Sequence, residues 1–109
     1  MLNIEEYTLP SGISPYQQWF ENVADLRAAA RIYMRIKRME AGNMGDCKPI
    51  HDGVWELRID VGQGYRVYYA KTGKTIILLL CGGDKNSQKK DIERAVIYLN
   101  DYKKRAIYG

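Results

Sequence analysis

Arg58, Arg66, Tyr68 and Lys85 are the side chains whose types and spacing best fit a chemical task. Arginine stays protonated at physiological pH and grips phosphate oxygens through two parallel N–H donors. Groups carried on strands are held more rigidly than groups on loops. Cations beside an aromatic ring suit a single-stranded nucleic acid, with Tyr68 stacking a base or donating its hydroxyl. Lys89 and Lys90 extend the basic character and are candidate RNA contacts. The competing reading is a cross-strand salt-bridge ladder in which Asp60 neutralises Arg66 and Glu56 neutralises Arg58.

Other chemistries find little support. His51 is the only histidine, which rules out a two-histidine acid–base pair, and it reads as a loop residue. Cys47 and Cys81 give neither a disulfide framework nor a four-ligand zinc set. Cys81 ends an apolar run and reads as inert packing. Gly82-Gly83-Asp84-Lys85 lacks the spacing of a phosphate-binding loop. No metal or other cofactor is expected.

Positioning the cations requires a β-hairpin. From Val54 the apolar pattern alternates, and Val54–Val61 and Tyr65–Lys71 flank Gly62-Gln63-Gly64. A three-residue loop would set Val61 opposite Tyr65, Leu57 opposite Tyr69, Arg58 opposite Tyr68 and Arg66 opposite Asp60. Trp55, Leu57, Ile59, Val61, Tyr65, Val67 and Tyr69 then share the core face. A one-residue slip would bury both arginines, so the pattern specifies the face. Thr75–Cys81 is a further strand whose unbroken apolar run implies cover on both sides, stopped by Gly82 and Gly83.

Helices flank these strands. Leu2–Leu9 reads as a first strand. Ser14-Pro15-Tyr16-Gln17 has the signature of a helix start, and Asp25 can cap a second helix running to about Glu40. The second helix carries an apolar stripe of Ala29, Ile32, Tyr33, Ile36 and Met39, and Gly42 ends it. Ser87 caps a last helix with Ile92, Ala95, Val96 and Leu99 on one side, and Tyr102-Lys103-Lys104-Arg105 is its frayed continuation. The expected architecture is α+β in the order β-α-α-β-β-β-α, as a single domain over residues 1–109.

With 109 residues, the chain has room for one core. Hydrophobic residues at 46% and charged residues at 28% exclude a disordered tail or fibrous repeat. The longest apolar run, Ile76–Cys81, is far too short to span a bilayer, and the acidic start at Glu5 and Glu6 is unlike a signal peptide. A small cytoplasmic protein is expected. Net charge is +4, carried by the second half: residues 57–109 hold eleven basic and five acidic side chains, against six and eight in residues 1–56. That asymmetry points to a polyanion or an acidic partner, or to a merely solvated surface.

Trp55-Glu56-Leu57-Arg58, Gly64-Tyr65-Arg66-Val67-Tyr68-Tyr69 and Leu78-Leu79-Leu80-Cys81-Gly82-Gly83-Asp84-Lys85 resemble the RelE/ParE superfamily of toxin–antitoxin toxins, above all its HigB-like addiction module killer branch. The resemblance covers nearly the whole chain. It implies a RelE-like, microbial RNase-like fold and an endoribonuclease (mRNA interferase) that cuts messenger RNA on the ribosome. It also implies a cognate antitoxin of helix-turn-helix type. By this resemblance Arg66 matches the family's arginine, Arg58 a position usually basic in the nucleases, and Lys85 a basic position after the last strand. Glu56 stands where some ribosome-dependent members carry lysine. The expected mechanism is attack of the 2′-hydroxyl on its own phosphate, without a metal. Arg66 and Arg58 would stabilise the charge developing on phosphate oxygens, at about 3 kcal/mol per donor. Glu56 is the expected general base, since arginine cannot accept a proton. Lys85 would hold the phosphate or assist the leaving oxygen. The rival expectations are a ParE-like gyrase poison that acts by binding, and a non-toxic phage-derived module.

Overall fold

The computed structural model describes residues 1–108. Its elements are β1 (Asn3–Glu6), α1 (Pro15–Glu21), α2 (Leu26–Glu40), β2 (Cys47–His51), β3 (Val54–Ile59), β4 (Tyr65–Thr72), β5 (Ile76–Asp84) and α3 (Gln88–Tyr108). They form an α+β fold on a five-stranded sheet in the order β1-β5-β4-β3-β2, antiparallel except for the parallel β1–β5 pair.

The helix starts follow their capping chemistry. Ser14 Oγ accepts from the Gln17 N–H at 3.1 Å, and Asp25 Oδ1 accepts from the N–H groups of Arg27 and Ala28. Gly42, at φ 95°, follows the end of α2 in the left-handed conformation that glycine adopts without strain. The buried stripe of α2 is Ala28, Ile32, Ile36 and Met39; Tyr33, expected inside, is half exposed. This stripe and Tyr16 pack on Leu57, Ile59, Tyr65, Val67, Tyr69, Ile77 and Leu79. The opposite sheet face carries a second core, in which Ala95 and Leu99 of α3 cover Val54, Tyr68, Ala70, Leu78 and Leu80. The apolar run of β5 is therefore covered on both faces, as its composition requires.

Several expectations need correction. Asn3–Glu6 is shorter than the expected Leu2–Leu9. The strand Cys47–His51 is additional: Pro49 lacks an N–H and masks the strand signal, but an edge strand tolerates it. His51 ends that strand, and its Nδ1 lies 2.9 Å from Asp52 Oδ2. Gly82 and Gly83 do not stop the third expected strand but belong to β5, paired with Val67 and Arg66. The tail Tyr102–Arg105 is ordered helix. Arg105 hydrogen-bonds the Thr8 carbonyl and sits 2.7 Å from Asp101, while Tyr7 donates to Asp101 at 2.7 Å. Among the described residues no helix is long and apolar enough to cross a membrane.

The hairpin register also differs. Ile59 pairs with Tyr65, Leu57 with Val67 and Trp55 with Tyr69. Asp60 and Val61 join the loop, where Gly62 and Gly64 take φ of 56° and 83° and the Gly64 N–H donates to the Val61 carbonyl at 3.0 Å. The pairing thus slips by two residues from the expected one. Because strand side chains alternate with period two, the faces survive and only the partners change.

Candidate functional site

The slip brings the two arginines face to face. Arg58 of β3 pairs directly with Arg66 of β4, which pairs with Gly83 of β5. On the outer side the Arg58 N–H donates to the Asp46 carbonyl at 2.9 Å, just before β2. One row across the sheet is therefore Asp46, Arg58, Arg66 and Gly83. The next row on the same face is Lys48, Glu56, Tyr68 and Cys81. Tyr68 and Cys81 in this row belong to the core that α3 covers, whereas Arg58 remains open to solvent.

Gly83 is where α3 meets the arginine row. A Cβ there would overlap the Asp91 carboxylate, and the Ser87 hydroxyl donates to that carboxylate at 2.5 Å. Gly82 is needed for space as well, since a Cβ would lie 2.2 Å from Trp19 Cε3. The double glycine is a seat for Asp91 and Trp19. Burial pushes the Asp91 carboxyl above its usual range, opposed by the Ser87 hydrogen bond and the Arg94 charge.

Glu56 lies beneath the two guanidiniums. Its side chain has 0% exposure; Oε2 lies 3.7 Å from Arg66 Nε and accepts from Gln88 Nε2 at 2.9 Å, and Oε1 lies 3.9 Å from Arg58 Nε. Arg66 is 12% exposed and Arg58 43%. The ladder of carboxylate and arginine is present, then, but with one buried carboxylate serving both cations; Asp60 does not pair with Arg66. A carboxylate so enclosed orients its neighbours and offers no open oxygen to a bound ligand.

Arg58, Arg66 and Lys85 line one open groove of about 370 Å³, with Asp46, Asp60 and the Gly62–Gly64 loop along its walls. Lys85 is exposed, and its backbone N–H donates to the Gly64 carbonyl at 3.2 Å. Lys89 and Lys90 are exposed on the first turn of α3 and do not line the groove.

Tyr68 must be corrected. It pairs with Glu56 across the strands, is fully buried under α3, and cannot stack a base. Burial first, then the Glu56 and Asp91 charges, raise its hydroxyl well above the ordinary tyrosine value. Leu78 and Leu80 are also buried there, as the unbroken apolar run of their strand implies. Cys81 is buried as expected, its thiol pushed up to about 12 chiefly by burial.

Sequence reasoning missed Asp46 as a groove residue. Its carboxylate is 58% exposed and lies 3.7 Å from Arg58 Nε. The Gly45 backbone packs closely on the Arg35 guanidinium, which itself donates to the Arg58 carbonyl at 3.0 Å. The only signal was the Gly45-Asp46 step before a proline-bearing strand, which fixes no partner by itself. Among the described residues no cluster of three or more histidine, cysteine or carboxylate side chains is placed to hold a metal ion.

Two comparisons bear on this arrangement. An uncharacterized protein of Haemophilus influenzae (strain Rd) is 51% identical over 80 residues, covering 73% of this chain and 81% of that protein. The family model described as phage-derived protein Gp49-like (DUF891) matches residues 18–105, a span that includes both guanidiniums, the buried Glu56 and most of the helix that seals it. The chain belongs to the phage-derived Gp49-like family.

Proposed function

We propose that this protein is the toxin of a toxin–antitoxin module and acts as an endoribonuclease on messenger RNA. The Gp49-like family is associated with such modules. One observation carries the reading: Arg58 and Arg66 are direct cross-strand partners on an open groove that Lys85 also lines. Facing guanidiniums can hold the two non-bridging oxygens of one phosphodiester, and the rigid strands fix their separation before the RNA arrives. The groove also holds the exposed carboxylates of Asp46 and Asp60. Mixed cations and carboxylates suit acid–base chemistry on a phosphate better than docking of a polyanion, which a purely cationic strip would serve.

In the reaction the ribose 2′-oxygen attacks the adjacent phosphorus and the bond to O5′ breaks. This leaves a 2′,3′-cyclic phosphate on one fragment and a 5′-hydroxyl on the other. Arg66 and Arg58 stabilise the charge that grows on the phosphate oxygens, and Lys85 donates to the leaving oxygen. Buried Glu56 keeps both guanidiniums aligned. The partner in this reading is a cognate antitoxin with an acidic segment that fills the groove, with the ribosome presenting the mRNA.

Arg66→Ala tests the reading. Wild-type protein in a translating extract should produce discrete mRNA ends and arrest growth when expressed. The variant should cut at least ~100-fold more slowly, as expected for loss of one preorganised donor, and still unfold cooperatively. Intact mRNA together with gyrase-trapped DNA breaks would overturn the ribonuclease reading in favour of a gyrase poison.

A further inference from the structure

We infer that Asp46 is the catalytic carboxylate of this groove, the group that takes the proton from the attacking 2′-hydroxyl. The inference rests on the ribonuclease reading above and deepens it. That mechanism needs an acceptor which can touch the substrate. The two arginines stay protonated, and Glu56 is closed off beneath them with one oxygen engaged by Gln88. Tyr68 is buried under α3.

Asp46 satisfies the geometric requirement. It continues the arginine row by one position and lines the groove with its carboxylate open to solvent. At 3.7 Å from Arg58 Nε it stands beside the guanidinium that would hold the phosphate. Its placement is firm, because the Arg58 N–H binds its carbonyl and the neighbouring Gly45 backbone packs on Arg35. The ion pair to Arg58 is loose and solvated, so an arriving phosphate takes over the guanidinium and leaves the carboxylate free to accept a proton. Asp60, the other carboxylate of the groove, makes no ion pair within 4 Å among the described residues.

The protons balance. The 2′-hydroxyl proton passes to Asp46 as O2′ bonds to phosphorus, and the Lys85 ammonium gives a proton to O5′ as that bond breaks. Solvent then returns a proton from Asp46 to Lys85.

Asp46→Asn keeps the size of the side chain and the backbone contacts. The test compares it with wild type in two assays: cleavage of an RNA substrate, and binding of the same RNA made uncleavable by 2′-O-methylation. The variant should lose cleavage by roughly 100-fold or more, the usual scale of general-base loss. It should bind the methylated RNA at least as tightly, since a negative charge has left the groove. Asp46→Glu should recover part of the rate, and the acid limb of the wild-type pH–rate profile should vanish in the asparagine variant. Cleavage by Asp46→Asn within threefold of wild type would overturn the assignment. So would equal loss of binding and cleavage, or loss of cleavage in Asp60→Asn instead. If the wild-type protein cuts no RNA, with or without ribosomes, the ribonuclease reading itself fails and takes this assignment with it.

Discussion

Glu56→Gln separates a buried counter-ion from a catalytic base. Glutamine keeps the shape of the side chain and can still accept from Gln88, so no cavity opens and the change is one of charge. Arg66 Nε lies 3.7 Å from the carboxylate. At that separation, with an effective dielectric of about 20, two unit charges attract by about 4 kcal/mol. Removing one partner of a buried pair costs about 3–5 kcal/mol, because the other charge stays desolvated. Arg66 is 12% exposed and stands near this limit, whereas Arg58 at 43% is screened by water and adds little. The expected loss is therefore about 3 kcal/mol. For a domain of this size that lowers the melting temperature by roughly 10–20 °C. Urea unfolding followed by circular dichroism should show a lower midpoint at an unchanged slope. The double variant Glu56→Gln/Arg66→Gln should show a coupling of roughly 1–3 kcal/mol. A loss under about 0.5 kcal/mol, the range of ordinary surface substitutions, would refute the clamp. Full stability with abolished RNA cleavage would make Glu56 the base instead.

Two further outcomes test the surroundings of the site. Burial raises the Asp91 carboxyl above its ordinary value, so the unfolded chain ionises first as pH rises. Asp91 therefore costs no stability below the unfolded carboxylate pKa of about 3.9, and its cost grows above that value until the folded group ionises too. Denaturation of Asp91→Asn across pH 3–8 should show wild type losing ground to the variant through that window; parallel curves would contradict the assignment. Gly82→Ala should destabilise by roughly 1–3 kcal/mol, the cost of overpacking, because its Cβ meets Trp19 Cε3 at 2.2 Å. An unchanged thermal midpoint would show that Trp19 is not pressed on the strand.

Local chemistry made much of the fold legible in the sequence. Ser14 and Asp25 announce their helices because a side-chain acceptor next to free N–H groups needs no tertiary partner. The alternation through Val54–Ile59 and Tyr65–Thr72 determined which side chains share a face, and so put Glu56, Arg58, Arg66 and Tyr68 together. Only the tertiary structure could set partners and cover. The left-handed glycines Gly62 and Gly64 lengthened the loop and moved Arg58 from Tyr68 to Arg66, a slip of two that alternation cannot detect. The length of α3 and its seat on Gly83 decided that Tyr68 and Glu56 are sealed while Arg58 stays open. Asp46 reaches the groove through an edge strand whose proline hid it. A residue's face follows from the backbone period, a property of the chain alone, whereas exposure depends on what folds back from dozens of residues away.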